Sequence, residues 1–230
     1  MSPTPQRNDT EAVIEGNYTT FADGKTRTTE KYLVVKRMMD FTLAFIGLAF
    51  LSPLFIIVSI LIKLEDPKGS VFFYQTRVGK DEKPFRMYKF RSMVTNAEEL
   101  LENLLDRNEI KGAMFKIKDD PRITRIGGFI RRTSIDELPQ LWNVIRGDMS
   151  LVGPRPPLPR EVEEYTAYDK KRLSILPGCT GLWQVSGRNR LGFKEMVELD
   201  LEYIHKRNIG MDIKILIKTA RALRGSQDAY

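Results

Sequence analysis

The stretch FTLAFIGLAFLSPLFIIVSILI, Phe41 to Ile62, is 22 residues long and carries no charge. A straight helix of that length reaches about 33 Å at 1.5 Å per residue, enough to cross a bilayer. Two features argue against a plain crossing. Ser52-Pro53 sits in its middle. Proline removes a backbone donor and clashes with the carbonyl four residues back, so a kink is expected. Basic residues also flank both ends, with Lys36 and Arg37 before the run and Lys63 and Lys68 after it. The positive-inside rule keeps such flanks on the cytoplasmic side. A bent helix that enters and leaves one leaflet satisfies both facts, and a kinked spanning helix satisfies the first. In the bent form Ser52 is a candidate partner for the freed backbone.

The rest of the chain has the length of one domain with a core of its own. Of the net charge of +7, residues 1–31 carry −1, with four basic and five acidic side chains, so residues 32–230 carry +8. A basic body suits anionic partners: nucleic acid, anionic lipid or nucleotide. The single cysteine, Cys179, excludes an internal disulfide, and with the lone His205 it forms no zinc-ligand cluster. Residues 1–31 are polar and read as a mobile tail. The apolar run starts too late for a cleavable signal and offers no small-residue cleavage site.

SVFFYQTRVG and KPFRMYKFRSM read as two strands around the polar turn Gly79 to Lys83. Alternation puts Phe85, Met87, Lys89 and Arg91 on one face, either an anion-facing surface or a solvated one. Thr95-Asn96-Ala97-Glu98 is a capping-box pattern predicting a helix to about Asn108. Residues 109–133 read as irregular, with breaks at Pro121 and Gly127-Gly128. Two further helices are expected near 193–206 and 212–223. The second interleaves Ile213, Leu216, Ile217 and Ala220 with Lys214, Lys218 and Arg221. That pattern fits a helix on an anionic membrane surface or one facing the core of a basic protein.

The segment RRTSIDELPQLWNVIRGDMSLVGPRP, Arg131 to Pro156, carries the chemistry. Asp136 and Glu137 follow Arg131 and Arg132, and Arg155 is locked in a Gly-Pro-Arg-Pro-Pro turn. Ser134 opens an S-x-x-E pattern, which puts the two carboxylates in a first helical turn; Pro139 favours a helix that starts just after them. An ionised Asp can attack phosphorus to give an acyl phosphate, which splits one displacement into two steps. Repulsion from the phosphate oxygens must then be neutralised, commonly by Mg²⁺ and by arginines whose planar fork binds two oxygens at once. An Asp-Glu pair alone is unspecific; its company of arginines, proline turn and broken apolar helix is not.

With those residues, the chain resembles the monotopic phosphoglycosyl transferases of bacterial polysaccharide and glycan assembly. The resemblance runs from about Lys31 to Gly225 through five ordered blocks: KRMMDFTLAFIGLAFLSP, KPFRMYKFRSM, the segment just quoted, PGCTGLWQVSGRNR and ELDLEYI. It implies transfer of a sugar 1-phosphate from a UDP-sugar to undecaprenyl phosphate, with release of UMP, through a covalent intermediate on Asp136. Glu137 would be its partner, and Mg²⁺ would bind at this pair. Lys89, Arg91, Arg131, Arg155, Gln184 and Arg188 match substrate-binding positions, and Ser52-Pro53 matches the helix break of a re-entrant anchor. The implied fold is α+β and mainly helical, with a small β-hairpin. The tail would span residues 1–31, the re-entrant membrane helix 32–64 and the cytoplasmic catalytic domain 65–230. The protein would be monotopic on the cytoplasmic face of the bacterial membrane, with no nucleic-acid partner and with a homodimer left open. Larger relatives carry an extra multi-helix membrane region ahead of this module, so a minimal catalytic unit is expected. Two other readings compete: a glycosyltransferase that releases UDP, and a non-catalytic module for anionic lipid or nucleic acid. The sugar itself is not legible.

Overall fold

The structure, a computed structural model, describes residues 30–102, 117, 120–187 and 192–225. The expected tail and Arg188 therefore lie outside the described residues, apart from Glu30 and Lys31. Helix α1 (Glu30–Glu65) holds Pro53 inside it without interruption, so the expected helix–break–helix is one element with a proline within it. Proline leaves the carbonyl of Ala49 without its usual amide donor. The Ser52 hydroxyl donates to that carbonyl at 2.8 Å. The middle of the helix presents Phe45, Ile46, Phe50, Ile56 and Ile57 to the outside. It is long and apolar enough to cross a membrane.

Both ends of α1 pack on the same body. Near its start, Lys36 reaches Asp212 at 3.2 Å and Asp40 accepts from the Ser150 hydroxyl at 2.7 Å. Arg37 donates to the carbonyls of Val144 at 2.6 Å and Ile145 at 2.9 Å. The two flanking cations thus serve as clamps, and Lys36 is buried. Near the end of α1, Val58 and Ile62 join Phe90 and Ile130 in one apolar cluster.

Strands β1 (Phe72–Val78) and β2 (Pro84–Phe90) form the expected antiparallel hairpin, with Phe73 opposite Lys89 and Arg77 opposite Phe85. Its tight turn takes Asp81 and Glu82 into left-handed backbone, with φ of 55° and 59°. Met87 points into the main core with Ala44, Val144, Met149, Val152 and Tyr203, while Phe90 belongs to the cluster under α1. Helix α2 (Ala97–Glu102) follows; the rest of the helix expected up to residue 108 lies outside the described residues.

Residues 125–132, read as irregular, form a helix, α3 (Arg125–Arg132). Its start is capped twice. Thr124 Oγ1 accepts from the Gly127 amide at 2.9 Å, and the Glu65 carboxylate accepts from the amides of Arg125 at 2.7 Å and Ile126 at 3.0 Å. Gly127 is required by closeness rather than flexibility, because a Cβ there would stand 1.9 Å from the Ser92 carbonyl oxygen. Ile126 and Ile130 fix the helix on the cluster under α1. A cap supplied sixty residues upstream overrides two helix-breaking glycines.

Helix α4 (Gln140–Arg146) ends at Gly147, whose φ of 90° suits glycine. A second small sheet, absent from the sequence expectation, pairs β3 (Ser150–Val152) with β4 (Gly178–Thr180) in parallel. Helix α5 (Pro159–Glu163) leads to the two long C-terminal helices. These are α6 (Phe193–Lys206), as expected, and α7 (Ile209–Gly225). The last starts earlier than expected because Asn208 Oδ1 accepts from the Met211 amide at 3.0 Å. One face of α7 enters the core through Ile215, while Ile213 and Ile217 are exposed, so core packing and an outward apolar face coexist.

Asp212 is fully buried, and it accepts from Lys36, from the Tyr203 hydroxyl at 2.6 Å and from the Tyr32 hydroxyl at 3.0 Å. Asp212→Ala leaves the Lys36 ammonium buried with only Asp40, 3.7 Å away. A stability loss of about 3–5 kcal/mol in thermal unfolding is expected, and the double replacement Lys36→Met with Asp212→Leu should recover most of it.

Candidate active site

Asp136 and Glu137 sit on a single 3₁₀ turn, Ile135–Glu137, between α3 and α4. Thr133 ends α3 by donating its hydroxyl to the Phe129 carbonyl at 2.9 Å. Ser134 then adopts left-handed backbone, with φ of 56°, and Ile135 packs against the cluster under α1. Ser134 makes no side-chain cap, and the α-helix begins only after Pro139. Of the two arrangements the sequence left open, the carboxylates therefore lie ahead of the helix.

Asn143, fully buried on α4, sets the turn against the hairpin. Its Oδ1 accepts from the Tyr88 amide at 3.0 Å and its Nδ2 donates to the Arg86 carbonyl at 2.7 Å. It takes the place of a neighbouring strand on the free edge of β2, which brings Lys89 to Glu137 at 2.7 Å. Sequence reading missed Asn143, since nothing local marks an asparagine that pairs with a strand some fifty residues away.

The two adjacent carboxyls meet opposite conditions. Asp136 is buried, and that burial, with Glu137 adding repulsion and Lys89 and Arg131 opposing, pushes its pKa up to about 6. At Glu137, whose side chain is 45% exposed, the pull of partial desolvation is outweighed by Lys89, Arg155 and Arg77, which hold its carboxyl below the usual range. The structure thus gathers Asp136, Glu137, Lys89, Arg131 and Arg155, and adds Arg77, which sequence reading did not select. The available signal was Gln75-Thr76-Arg77: residues two apart share a strand face, and Gln75 Oε1 accepts from Arg77 Nη2 at 2.7 Å. Burial and Arg155 lower the Arg77 pKa to about 10, which leaves it charged at neutral pH.

The structure also places the two remaining described residues of the expected set, Arg91 and Gln184. The strand ends at Phe90, although the Arg91 amide still donates to the Val71 carbonyl at 2.9 Å. Its guanidinium pairs with Asp66 at 3.1 Å, below the end of α1. Gln184 lies in the 3₁₀ turn Trp183–Val185 after β4, beside Gly181.

No group of three or more His, Cys, Asp or Glu side chains suited to a metal occurs among the described residues. Mg²⁺ commonly takes only one or two protein carboxylates and completes its shell with water and substrate phosphates. The adjacent hard-oxygen carboxylates of Asp136 and Glu137 fit that pattern. Two carboxylates among four cations leave a net positive charge, suited to a ligand with several anionic oxygens.

The family model described as bacterial sugar transferase matches residues 31–225. The galactosyl transferase CpsE of Streptococcus agalactiae serotype III is 49% identical over 193 residues, covering 84% of this chain and 42% of that protein. The undecaprenyl-phosphate galactose phosphotransferase of Salmonella typhimurium is 44% identical over 200 residues, covering 85% of this chain and 42% of that protein. The exopolysaccharide production protein ExoY of Rhizobium meliloti is 39% identical over 201 residues, covering 86% of this chain and 88% of that protein. The chain therefore spans about two fifths of the length of the first two relatives and most of the third. On the strength of that match, which includes the long apolar helix, the hairpin and the acidic turn, the chain belongs to the bacterial sugar transferase family.

Proposed function

We propose that this protein transfers a sugar 1-phosphate from a UDP-sugar to undecaprenyl phosphate through a covalent intermediate on Asp136. The observation that carries the reading is the buried, partly protected carboxylate of Asp136, set among Lys89, Arg131 and Arg155 on a body whose anchor is a long apolar helix. The name of the Salmonella relative supports both the carrier lipid and the sugar-phosphate chemistry.

In the first step an oxygen of Asp136 attacks the phosphorus next to the sugar. The bond to the bridging oxygen breaks, and UMP leaves with that oxygen. In the second, a phosphate oxygen of undecaprenyl phosphate attacks the same phosphorus and Asp136 departs as carboxylate. Lys89, Arg131 and Arg155 bind and orient the phosphoryl oxygens and offset their charge. Glu137 stays ionised and holds the Lys89 ammonium. Asp136 and Glu137 would hold Mg²⁺, which supplies charge neutralisation of the diphosphate.

The same reading makes α1 a re-entrant anchor. Its two ends both dock on one basic body, through Asp212 and Ser150 at the start and through Glu65 on α3 at the end. A helix so held cannot deliver its ends to opposite sides of a bilayer without breaking one dock. Its exposed apolar middle would then enter the inner leaflet and return.

Three outcomes are expected. With Mg²⁺, undecaprenyl phosphate and a panel of UDP-sugars, wild type releases UMP from at least one donor, and Asp136→Asn lowers the rate by at least about 10³-fold. Release of UDP would move the assignment to direct glycosyl transfer; no release from any donor would favour a lipid-binding module. Because only ionised Asp136 attacks, kcat/KM for the donor should rise about tenfold per pH unit below pH 6 and level off above it. A flat profile from pH 5 to 7 would contradict this. Finally, Pro53→Ala should favour a spanning topology, with cysteines placed at the two flanks labelled from opposite sides and activity reduced. Same-side labelling with normal activity would show that Pro53 does not set the topology.

A further inference from the structure

The turn at residues 153–157 has little means of holding itself, because Pro154, Pro156 and Pro157 carry no amide N–H. Its carbonyls are gripped from outside instead. The Gly178 amide donates to Pro154 O at 2.8 Å and the Val78 amide to Pro157 O at 2.9 Å. Arg172 Nη2 reaches Arg155 O at 3.5 Å, and Arg77 Nη1 donates to Pro156 O at 3.1 Å. Every residue from 151 to 157 is buried except Arg155, which is exposed. A turn pinned at four successive carbonyls by three separate parts of the chain therefore presents one guanidinium.

Arg77 itself is only 6% exposed. Its Nη1 is taken by Pro156 and its Nη2 by Gln75, so its fork is committed to protein contacts. The direction of approach is also set. Lys89 stands opposite Phe73, within the exposed aromatic run Phe72, Phe73 and Tyr74. Arg77 stands opposite Phe85, four residues further along and so roughly 13 Å from that run at about 3.3 Å per residue. Arg77 and Arg155 thus belong to the end of the hairpin remote from the exposed aromatics and from the Phe90 cluster under α1. On the anchor reading above, a water-soluble diphosphate reaches that end and a phosphate tethered to a bilayer lipid enters from the other.

We propose that Arg77 is a positioning residue for the donor diphosphate: by holding the Pro156 carbonyl it keeps the Arg155 guanidinium beside the acidic pair, where the donor's phosphoryl oxygens bind. This rests on the sugar-phosphate transfer reading above and deepens it by separating the two phosphate entries. Arg155 is the group that touches the donor, and Arg77 acts through it. Lysine at position 77 keeps the charge but cannot grip Pro156 and Gln75 together with a planar fork.

The test is a double-mutant cycle on the full chain, with the UDP-sugar that wild type accepts, reading kcat/KM separately for donor and for undecaprenyl phosphate. Arg77→Lys should lower the donor value about tenfold and leave the acceptor value and the melting temperature near wild type. Arg155→Lys should lower the donor value about a hundredfold, and the double variant should fall no more than about threefold below Arg155→Lys alone. Gln75→Leu, which frees one side of the fork, serves as the milder probe if Arg77→Lys folds poorly; about a threefold loss confined to the donor is expected. Losses that multiply, or equal losses for both substrates alongside a lowered melting temperature, would reduce Arg77 to a structural residue. Wild-type turnover with Arg77→Lys unimpaired would overturn this inference alone, whereas wild type that releases UMP from no donor would overturn the transfer reading and this inference with it.

Discussion

One helix must serve two environments, and the rest of the structure follows from how its ends are held. The middle of α1 is apolar and outward-facing, while each end is fastened by charge to the folded body. At the start, Lys36, Asp40, Ser150 and Asp212 form a buried polar set. Removing any single partner leaves a charge or donor uncompensated, which costs far more than the net stabilisation of the intact pair. At the end, Glu65 caps α3, and α3 leads through Thr133 and Ser134 into the acidic turn. Helix α1 and the acidic pair are therefore one mechanical unit, and a shift of α1 would be felt at Asp136 through a single short helix.

The acidic turn shows how two neighbouring carboxyls acquire different tasks. Glu137 faces Lys89, Arg155 and Arg77, so it is ionised and its charge is spent on those cations. Asp136 is buried, with a pKa near 6. At pH 7 it is about ten to one ionised, yet it is poorly solvated and, among the described residues, has no close ion pair of the kind Lys89 gives Glu137. A carboxylate that is charged but little masked is the better nucleophile, which supports the role proposed for Asp136. Environments that push adjacent pKa values apart are the expected mark of a divided acid–base or nucleophile pair.

Much of this was legible in the sequence where the signal is local. The hairpin follows from β-rich alternation around a polar turn, and the role of Ser52 from its place just before the proline, while the span of α6 matches the helix expected there. What was missed depends on partners distant in the chain. Gly127-Gly128 reads as a break until Glu65 supplies the cap, and Asp212 reads as a helix-start residue until Lys36 arrives from α1. Asn143 looks like an ordinary helix position although it completes the edge of β2. Arg91 was placed beside Lys89 by extending strand alternation one residue beyond the strand, where Asp66 claims it instead. In each case a residue takes its meaning from a group that spacing along the chain cannot reveal.

The proline turn answers a different problem. On the proposed reading, a loop that presents a cation to phosphate must hold its backbone still without using donors that the ligand could attract. Prolines remove those donors and fix φ, which lowers the entropy lost on ordering the loop. They also leave a row of carbonyls that must find partners from elsewhere. Here these come from β1, β4 and the arginine at 172, the last of which is itself buried and ion-paired with Asp200. The rigidity of Arg155 is thus borrowed from the hairpin and the small parallel sheet. Those two sheets contain few strands, and their value lies less in core area than in the backbone groups they offer at the right places.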